Sequence, residues 1–342
     1  MKNTPPTPML DALQRPVHDL RISVTDRCNF RCVYCMPRHV FGPDYPFLKR
    51  SQLLTYEEIE RVARVFVQLG VRKLRLTGGE PLVRNNIETL IGQLAAIDGV
   101  QDLSLTTNGS LLSRKKADKL YAAGLRRITV SLDSLDGETF KSINGVDFAP
   151  EPILEAIDSA AEAGLTPVKI NMVVKRGVND NAVLAAARYF KGTGHILRFI
   201  EFMDVGNSNA WRKDEVISAG ELRDIISQEH PIEPVSPDYH GEVAQKWRYT
   251  DGEGEIGIIA SVSQPFCGSC TRARLSADGS IYTCLFATEG HDLRSVLRDG
   301  ISDEGLKDRV QGIWTNRADR YSELRATQMV EVSKVEMSYI GG

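Results

Sequence analysis

The stretch YEEIERVARVFVQLG at residues 56–70, followed by KLRLT at residues 73–77, predicts one helix and the strand that follows it. The first segment repeats apolar residues at the spacing of a helix face and ends in glycine, a common helix stop. In the second segment the leucines share one face, while Lys73, Arg75 and Thr77 share the other. An amphipathic helix leading into a short alternating strand is typical of a repeated βα unit.

The same alternation of strands and helices runs from about residue 20 to residue 205. Five further segments predict strands, namely LRISVT, DLSLTT, RRITVSLD, PVKINMVV and ILRFIEFM. Helical segments lie between them, namely NIETLIGQLAAI, SRKKADKLYAAG, EPILEAIDSAAEAG and DNAVLAAARYFKG. Six such units fall short of the eight in a closed barrel. The sequence therefore predicts an α/β fold built as a partial, six-unit βα barrel.

The βα rhythm fades after about residue 210. The segments GEIGIIASV and RARLSADGSIYTCL predict strands, with a hairpin turn at Asp278 and Gly279, and HDLRSVLRDG predicts a short helix. We therefore expect a smaller C-terminal β-containing extension over residues 231–342, after a barrel over residues 14–230. The proline-rich residues 1–13 lack apolar periodicity, which predicts a disordered lead-in.

One face of each predicted barrel strand is polar and partly basic. These faces carry Arg21, Ser23, Thr25, Lys73, Arg75, Thr77, Ser104, Thr106, Asn108, Arg127, Thr129, Ser131, Asp133, Lys169 and Asn171. If helices cover the apolar faces, the polar faces line a chamber, and several buried cations there imply a bound anion. The alternative is a sheet with one solvated face, which is common in antiparallel proteins and unusual in parallel ones.

The net charge excludes a general affinity for nucleic acid. With 42 basic and 45 acidic residues the formal charge is −3, so no global basic field exists and any anion site is local. No apolar run is long enough for a membrane span, and the start MKNTPPTPMLDAL has no apolar signal-peptide region. We therefore expect a cytoplasmic protein without a membrane partner.

The six cysteines form two triplets, Cys28, Cys32 and Cys35, then Cys267, Cys270 and Cys284. An odd number in each group favours metal ligation over disulfides, which small secreted proteins use. Three thiolates can hold a cubane iron-sulfur cluster and leave one iron open to substrate, and we expect Arg27 and Arg31 to favour the thiolate form. A zinc site is the alternative; its fourth ligand would be His39 for the first triplet, and His240 or His291 for the second.

Two shorter motifs suggest how ligands are held. TGGEP at residues 77–81 ends the predicted strand KLRLT, and its glycines would let the backbone approach a ligand. The alternative is an ordinary turn between a strand and a helix. Arg272 and Arg274 lie two residues apart on a predicted strand, so their guanidiniums point to one side and suit phosphate. The alternative is a solvated edge strand. The chain has no G-x4-G-K-[ST] loop, so scattered basic residues would hold a triphosphate.

The C-x3-C-x2-C spacing, with Tyr34 before the third cysteine and TGGEP after it, resembles the radical S-adenosylmethionine superfamily. The C-terminal triplet with C-T-R-A-R narrows the resemblance to the GTP 3',8-cyclase family of molybdenum cofactor biosynthesis. That likeness covers nearly the whole chain through LRISVTDRCNFRCVYCMP, KLRLTGGEPLVR, TTNG, LRRITVSLDSLD, INMVVKRGVNDN, RFIEFMDVG, FCGSCTRARLS and the terminal GG. It implies two 4Fe-4S clusters, S-adenosyl-L-methionine, and conversion of GTP to 3',8-cyclo-7,8-dihydro-GTP.

The resemblance also assigns roles to residues. The two triplets would bind the clusters, and S-adenosylmethionine would contact Tyr34, Gly79, Ser131 and Met203. GTP would contact Arg21, Lys73, Arg75, Thr106, Lys169, Arg198, Arg272, Ala273 and Arg274, and strand alternation favours Thr106 over Thr107. Catalytic roles would fall on Arg272, Arg274, Gly341 and Gly342, the last two forming a tail that reaches the active site. Arg272→Ala would weaken GTP binding and leave both clusters intact.

The implied partners are GTP, an external reductant and cyclic pyranopterin monophosphate synthase as the downstream enzyme, and homodimer formation stays open. Two other functions also stay open. One is a radical S-adenosylmethionine enzyme that acts on a peptide and uses the second cluster as an electron relay. The other is a zinc-binding nucleotide scaffold without turnover.

Overall fold

The structure, a computed structural model, describes residues 9–327 and 333–342. Its strands are β1 (Asp19–Ser23), β2 (Lys73–Thr77), β3 (Asp102–Thr107), β4 (Arg127–Ser131), β5 (Lys169–Val174), β6 (Ile196–Glu201), β7 (Ile232–Val235), β8 (Gln245–Tyr249), β9 (Glu255–Ile259), β10 (Arg272–Leu275), β11 (Ser280–Tyr282) and β12 (His291–Asp292). Its α-helices are α1 (Tyr56–Gln68), α2 (Ile87–Ala95), α3 (Arg114–Ala122), α4 (Gly137–Asn144), α5 (Glu151–Glu162), α6 (Val183–Phe190), α7 (Ala219–Ser227), α8 (Arg294–Arg298), α9 (Asp303–Thr315), α10 (Tyr321–Thr327) and α11 (Met337–Ile340).

The described strands form one open sheet in the order β12-β11-β10-β1-β2-β3-β4-β5-β6-β9-β8-β7. Strands β1 to β6 pair in parallel and in chain order, which confirms the six-unit βα core. The C-terminal strands extend both edges of that core, since β10 pairs in parallel with β1 and β9 with β6. The C-terminal β structure is therefore part of the same sheet, and a domain boundary at residue 230 stays a prediction.

The two faces of the core strands differ as the sequence predicts. Ile22, Leu74, Leu76 and Val130 are 0% exposed and lie in the apolar core with the helices. Helix α1 begins with a capping box between Thr55 and Glu58 and buries its apolar side. The polar side chains of the same strands point the other way, so the sheet has one dry face and one polar face.

The N-terminal lead-in is only partly as predicted. Residues 1–8 lie outside the described residues. Residues 9–13, predicted to be disordered, pack against the fold instead: Met9 is 8% exposed, and the Asp11 carboxylate accepts a 2.6 Å hydrogen bond from Arg15. Apolar periodicity did not reveal this segment because a buried ion pair holds it. No helix among the described residues is long and apolar enough to cross a membrane.

Candidate active site

One cavity of about 300 Å³ brings the two halves of the predicted site together. All six cysteines line it, as do Tyr34, Gly79, Ser131 and Met203. Eight of the nine residues predicted to contact GTP also line it, namely Arg21, Lys73, Arg75, Thr106, Lys169, Arg198, Arg272 and Arg274. The polar strand faces therefore enclose a chamber, and the solvated-face alternative is wrong. Ala273 is the exception, because it is 0% exposed in the apolar core.

The chamber holds cations that lack protein partners. No hydrogen bond or ion pair from the described part of the chain reaches the side chain of Arg21 or Lys169. Arg198 donates through Nη2 to Thr129 at 3.2 Å, but its buried Nε and the Nη1 of Arg272 have no acceptor in that part. Burial and the neighbouring Arg198 lower the pKa of Lys169 to about 7. Burial, followed by nearby arginines, also lowers the pKa of Arg21 well below its ordinary value. A bound anion would supply the missing acceptors and counter-charge.

The positive charge of Lys73 is better balanced by protein groups than that of the neighbouring cations. Its ammonium lies 3.5 Å from Asp102 and 3.8 Å from Asp19, and it donates a 2.6 Å hydrogen bond to the Tyr239 hydroxyl. Tyr239 lines the cavity and went unnoticed in the sequence because it comes from the connection between β7 and β8, where no motif marks it. Among residues 9–327 and 333–342, the one hydrogen bond of the Arg75 side chain is a long 3.4 Å contact with Ser104.

The two threonines of β3 have different surroundings. The Thr106 hydroxyl is buried, faces the cavity and has no hydrogen-bond partner among the residues that the structure describes. The Thr107 hydroxyl donates to the Glu80 carboxylate at 2.7 Å and accepts from the amide of Gly109 at 3.0 Å. Thr106 is therefore the residue with free hydrogen-bonding capacity, in agreement with strand alternation, although its contact with GTP stays a prediction.

The first cysteine loop is held by the two arginines expected to activate its thiols. Arg31 donates to the carbonyls of Cys28 and Phe30 at 2.7 Å, and Arg27 lies over the Phe47 ring. Burial raises the pKa of Cys28 to about 12, with Arg31 opposing it only weakly. Arg31 thus favours the thiolate form of Cys28 as expected, but burial and the charge of Glu80 outweigh it. The same expectation for Arg27 stays a prediction.

The TGGEP turn packs against that loop. A Cβ built on Gly79 would lie 2.3 Å from the Arg27 carbonyl oxygen, and one on Gly78 would lie 2.5 Å from that of Thr25. These glycines are needed because two backbone segments of the protein meet here, rather than for approach to a ligand alone. Glu80 then accepts backbone hydrogen bonds, and burial raises its pKa to about 7.

Tyr34 is fixed from the opposite wall of the cavity. Its hydroxyl donates a 2.7 Å hydrogen bond to Asp133, which also accepts from the Val173 amide at 2.9 Å. Burial raises the pKa of Asp133 to about 6 despite these two bonds. The carboxylate thus ties the first cysteine loop to the ends of β4 and β5 and orients the ring of Tyr34 in the cavity.

The second cysteine triplet differs from the first in its charged neighbours. The Cys270 sulfur accepts hydrogen bonds from Arg272 and from Arg317, each at 3.2 Å. Burial opposes the thiolate, but these guanidiniums lower the pKa of Cys270 to about 7. Arg317 went unnoticed because it lies 47 residues downstream, without a motif. Since Arg272 contacts a cysteine as well as the cavity, the expectation that Arg272→Ala leaves both clusters intact stays a prediction.

The donor atoms fit iron-sulfur clusters better than zinc. All six cysteines are free thiols. Within residues 9–327 and 333–342, no group of three or more His, Cys, Asp or Glu side chains could hold a single metal ion. His39, His240 and His291 do not line the cavity. Three thiols that are not placed to share a single metal ion suit a cubane, which takes one thiolate at each of three irons and leaves the fourth open.

The C-terminal tail enters the cavity, where Gly342 is part of the wall. Arg274 donates a hydrogen bond to the Gly341 carbonyl, so this guanidinium already has a protein partner. The tail is anchored further out, where the Lys334 ammonium donates to the Asp204 carboxylate at 2.9 Å. The predicted approach of the diglycine to the site is therefore present in the structure, while its catalytic role stays a prediction.

Comparisons with known proteins agree with this arrangement. Residues 22–190 match the Radical SAM superfamily, and residues 195–323 match the Molybdenum Cofactor Synthesis C family. A GTP 3',8-cyclase of Acidothermus cellulolyticus is 52% identical, covering 98% of this chain and 99% of that protein. A GTP 3',8-cyclase of Staphylococcus epidermidis is 50% identical, covering 97% and 98%. The fold is similar to that of Streptococcus suis SuiB bound to S-adenosylmethionine, with a TM-score of 0.60 at 14% identity, covering 91% of this chain and 68% of that chain.

Proposed function

Because this chain belongs to the GTP 3',8-cyclase family of the radical S-adenosylmethionine superfamily, we propose that it converts GTP to 3',8-cyclo-7,8-dihydro-GTP. This is the first step of molybdenum cofactor biosynthesis, in keeping with the Molybdenum Cofactor Synthesis C match. The observation that carries the proposal is the single cavity in which two thiol triplets face unpaired cations.

Each triplet would hold one 4Fe-4S cluster through three thiolates, and S-adenosylmethionine would bind beside Tyr34, Gly79, Ser131 and Met203. When bound, the first cluster and S-adenosylmethionine would supply reductive cleavage to methionine and 5'-deoxyadenosine, coupled to removal of the 3' hydrogen of the GTP ribose. Tyr34 is oriented by Asp133 for this purpose, and Gly79 lets the TGGEP turn close on the cysteine loop.

The protein's own contribution is placement of GTP. The triphosphate would bind Arg21, Lys169 and the free Nε of Arg198 through charge-assisted hydrogen bonds. Thr106 would donate or accept through its free hydroxyl. Arg272 would reach GTP through Nη1 while its Nη2 stays on Cys270, which places the substrate beside the second triplet. A positioned substrate in an enclosed cavity reacts without competing water.

The partners follow from this activity as further proposals. The enzyme would take electrons from an external reductant and pass its product to cyclic pyranopterin monophosphate synthase. A cytoplasmic location suits a cofactor pathway, and homodimer formation is compatible with the fold. A peptide substrate is less well supported, because the likeness to SuiB concerns the fold alone and the unpaired cations suit a triphosphate.

The test uses anaerobically reconstituted protein with S-adenosylmethionine, dithionite and GTP deuterated at the ribose 3' position. We expect a cyclised isomer of GTP, with the deuterium recovered in 5'-deoxyadenosine by mass spectrometry. Arg21→Gln should raise the Kd for GTP about tenfold or more at unchanged iron content, since it removes an unpaired cation. Arg309→Gln, a surface change outside the cavity, serves as the control. Unlabelled 5'-deoxyadenosine without a cyclised product would contradict the proposal.

A further inference from the structure

The two triplets differ in the hydrogen-bond donors around their sulfurs. Cys270 of the second triplet accepts from Arg272 and Arg317, both at 3.2 Å. In the first triplet, the side-chain donor nearest a sulfur is the neutral amide of Asn108, 3.8 Å from Cys28. No guanidinium or ammonium in the described part of the chain donates to a thiol of the first triplet. The positive donors are thus confined to one of the two sites.

Arg317 is held rigidly for this contact. Its side chain is 1% exposed, and Nη1 donates to the Cys270 carbonyl at 2.8 Å and to the Asp11 carboxylate at 3.3 Å. Its guanidinium also lies 4.6 Å from the centre of the Trp314 ring. Its Nε donates to the Asp319 carboxylate at 3.3 Å. Because the backbone, two carboxylates and the ring fix the plane of the guanidinium, Nη2 points at the sulfur without a further loss of side-chain entropy.

The N-terminal segment supports the same loop. The Asp11 carboxylate binds both Arg317 and Arg15, and Arg15 donates to the Cys267 carbonyl at 2.9 Å. Asp11 and Arg15 are almost completely buried, so this ion-pair network is shielded from solvent. Removing one member would leave buried charge uncompensated. The segment before β1 therefore helps to position the loop that carries Cys267 and Cys270.

Hydrogen bonds to a cluster's sulfurs and positive charge close to them stabilise the reduced, more negative state. We infer that Arg317, held in place by Asp11, is a positioning residue that raises the reduction potential of the second cluster above that of the first. This inference rests on the proposed cluster at each triplet. A higher potential makes the second site a weaker reductant, which leaves reductive cleavage of the sulfonium to the first triplet.

The potentials are measured separately on protein with one triplet each. In one variant alanine replaces Cys267, Cys270 and Cys284, and in the other it replaces Cys28, Cys32 and Cys35. After anaerobic reconstitution, iron content is determined and the midpoint potential follows from reductive titration monitored by electron paramagnetic resonance. We expect the higher midpoint in the variant that keeps the second triplet.

Substitutions at Arg317 are then made in the protein that retains the second triplet. Arg317→Gln removes the charge and should lower the midpoint potential at unchanged iron content, and Arg317→Lys should give a smaller decrease. Arg320→Gln is the matched control, because that side chain is half exposed and its ion pair with Glu323 is long, at 3.9 Å. It should leave the potential unchanged.

Three results would overturn the inference: equal or inverted potentials of the two sites, an Arg317→Gln midpoint equal to that of Arg320→Gln, or loss of iron from both Arg317 variants. Loss of iron from both variants would mean that Arg317 only maintains the structure of the cysteine loop. Failure of the parent protein to bind iron at the second triplet is a different outcome, because it contradicts the proposed function itself.

Discussion

Replacing Gly341 with alanine tests whether the docked tail is needed for turnover. Gly341 has φ +75°, a left-handed conformation, and its carbonyl accepts a hydrogen bond from Arg274. A Cβ built at this position would lie 2.4 Å from Cγ2 of Thr77 at the end of β2. Alanine therefore meets two separate penalties here, one from the backbone and one from a collision.

The size of each penalty follows from this geometry. The left-handed conformation costs an alanine about 1–2 kcal/mol. Methyl groups pack best at about 3.5–4.0 Å, so the collision requires a shift of more than about 1 Å, and overpacking of this kind costs about 1–3 kcal/mol. The sum is about 2–5 kcal/mol, so we expect the docked tail to become at least about 30-fold less favourable.

The assay is formation of cyclised GTP at saturating substrate, together with the Kd for GTP. Gly341→Ala should lower kcat in proportion to the loss of docked tail, by up to about 30-fold for a penalty of about 2 kcal/mol, and change the Kd much less, because the unpaired cations remain. Gly342→Ala is the matched control: its φ is not left-handed, and its Cβ would meet the flexible Met337 side chain at 2.8 Å. Thr77→Ser removes Cγ2, so the Gly341→Ala, Thr77→Ser double variant should recover only the activity that is lost through the collision.

Two results would refute this reasoning. If Gly341→Ala and Gly342→Ala lose activity equally, neither the left-handed backbone nor the contact with Thr77 explains the need for glycine. If Thr77→Ser restores nothing in the double variant, the collision is absent and only the backbone penalty operates. Equal activity of all variants would mean that the tail contributes nothing to turnover.

Two further outcomes follow from buried ionisable groups. Burial and Arg198 lower the pKa of Lys169 to about 7, and bound triphosphate should raise it, so GTP affinity should fall as the pH rises above 7. Calorimetry should show proton uptake on GTP binding at pH 8, Lys169→Met should abolish that uptake, and a pH-independent Kd would contradict the prediction. Glu201 is 0% exposed and accepts hydrogen bonds from three backbone N–H groups, so Glu201→Gln should lower the free energy of unfolding by about 2–3 kcal/mol in urea titrations. The exposed control Glu229→Gln should lower it by less than about 1 kcal/mol, and equal losses would contradict a structural role of the buried carboxylate.

The parts of the fold that sequence reveals are those with a strict local period. Alternation within each strand identified the six core strands and the face that lines the cavity, because a two-residue period leaves only one choice of face. The same period distinguished Thr106 from Thr107. The short C-x3-C-x2-C spacing marked the first candidate ligand loop, since a loop that wraps a cluster supplies its ligands from neighbouring positions. In the second triplet, Cys284 follows strand β11, and the fold brings it to the same cavity as Cys267 and Cys270.

Contacts between distant segments could not be read in this way. Asp11, Arg15 and Arg317 meet near Cys270 although they lie up to 306 residues apart, and no local pattern marks any of them. Strands β7 and β8 were also missed, because partly exposed strands show weak periodicity. The sequence also showed Arg31 beside Cys28 but not the burial that outweighs its charge, because burial depends on the whole fold.

The pairing register of the sheet explains why this cavity calls for an anion. At one level across strands β10, β1, β2 and β3, charges alternate in sign, with Arg272, Asp19, Lys73 and Asp102 side by side. Two residues further along, the row is Arg274, Arg21, Arg75 and Ser104, so three guanidiniums adjoin without a carboxylate. Like charges directly opposite each other in a sheet are destabilising. The first row neutralises itself, whereas the second is balanced only in part by the tail carbonyl at Arg274. The strand order that places β10 beside β1 therefore builds the cationic row, and it does so from arginines more than 250 residues apart.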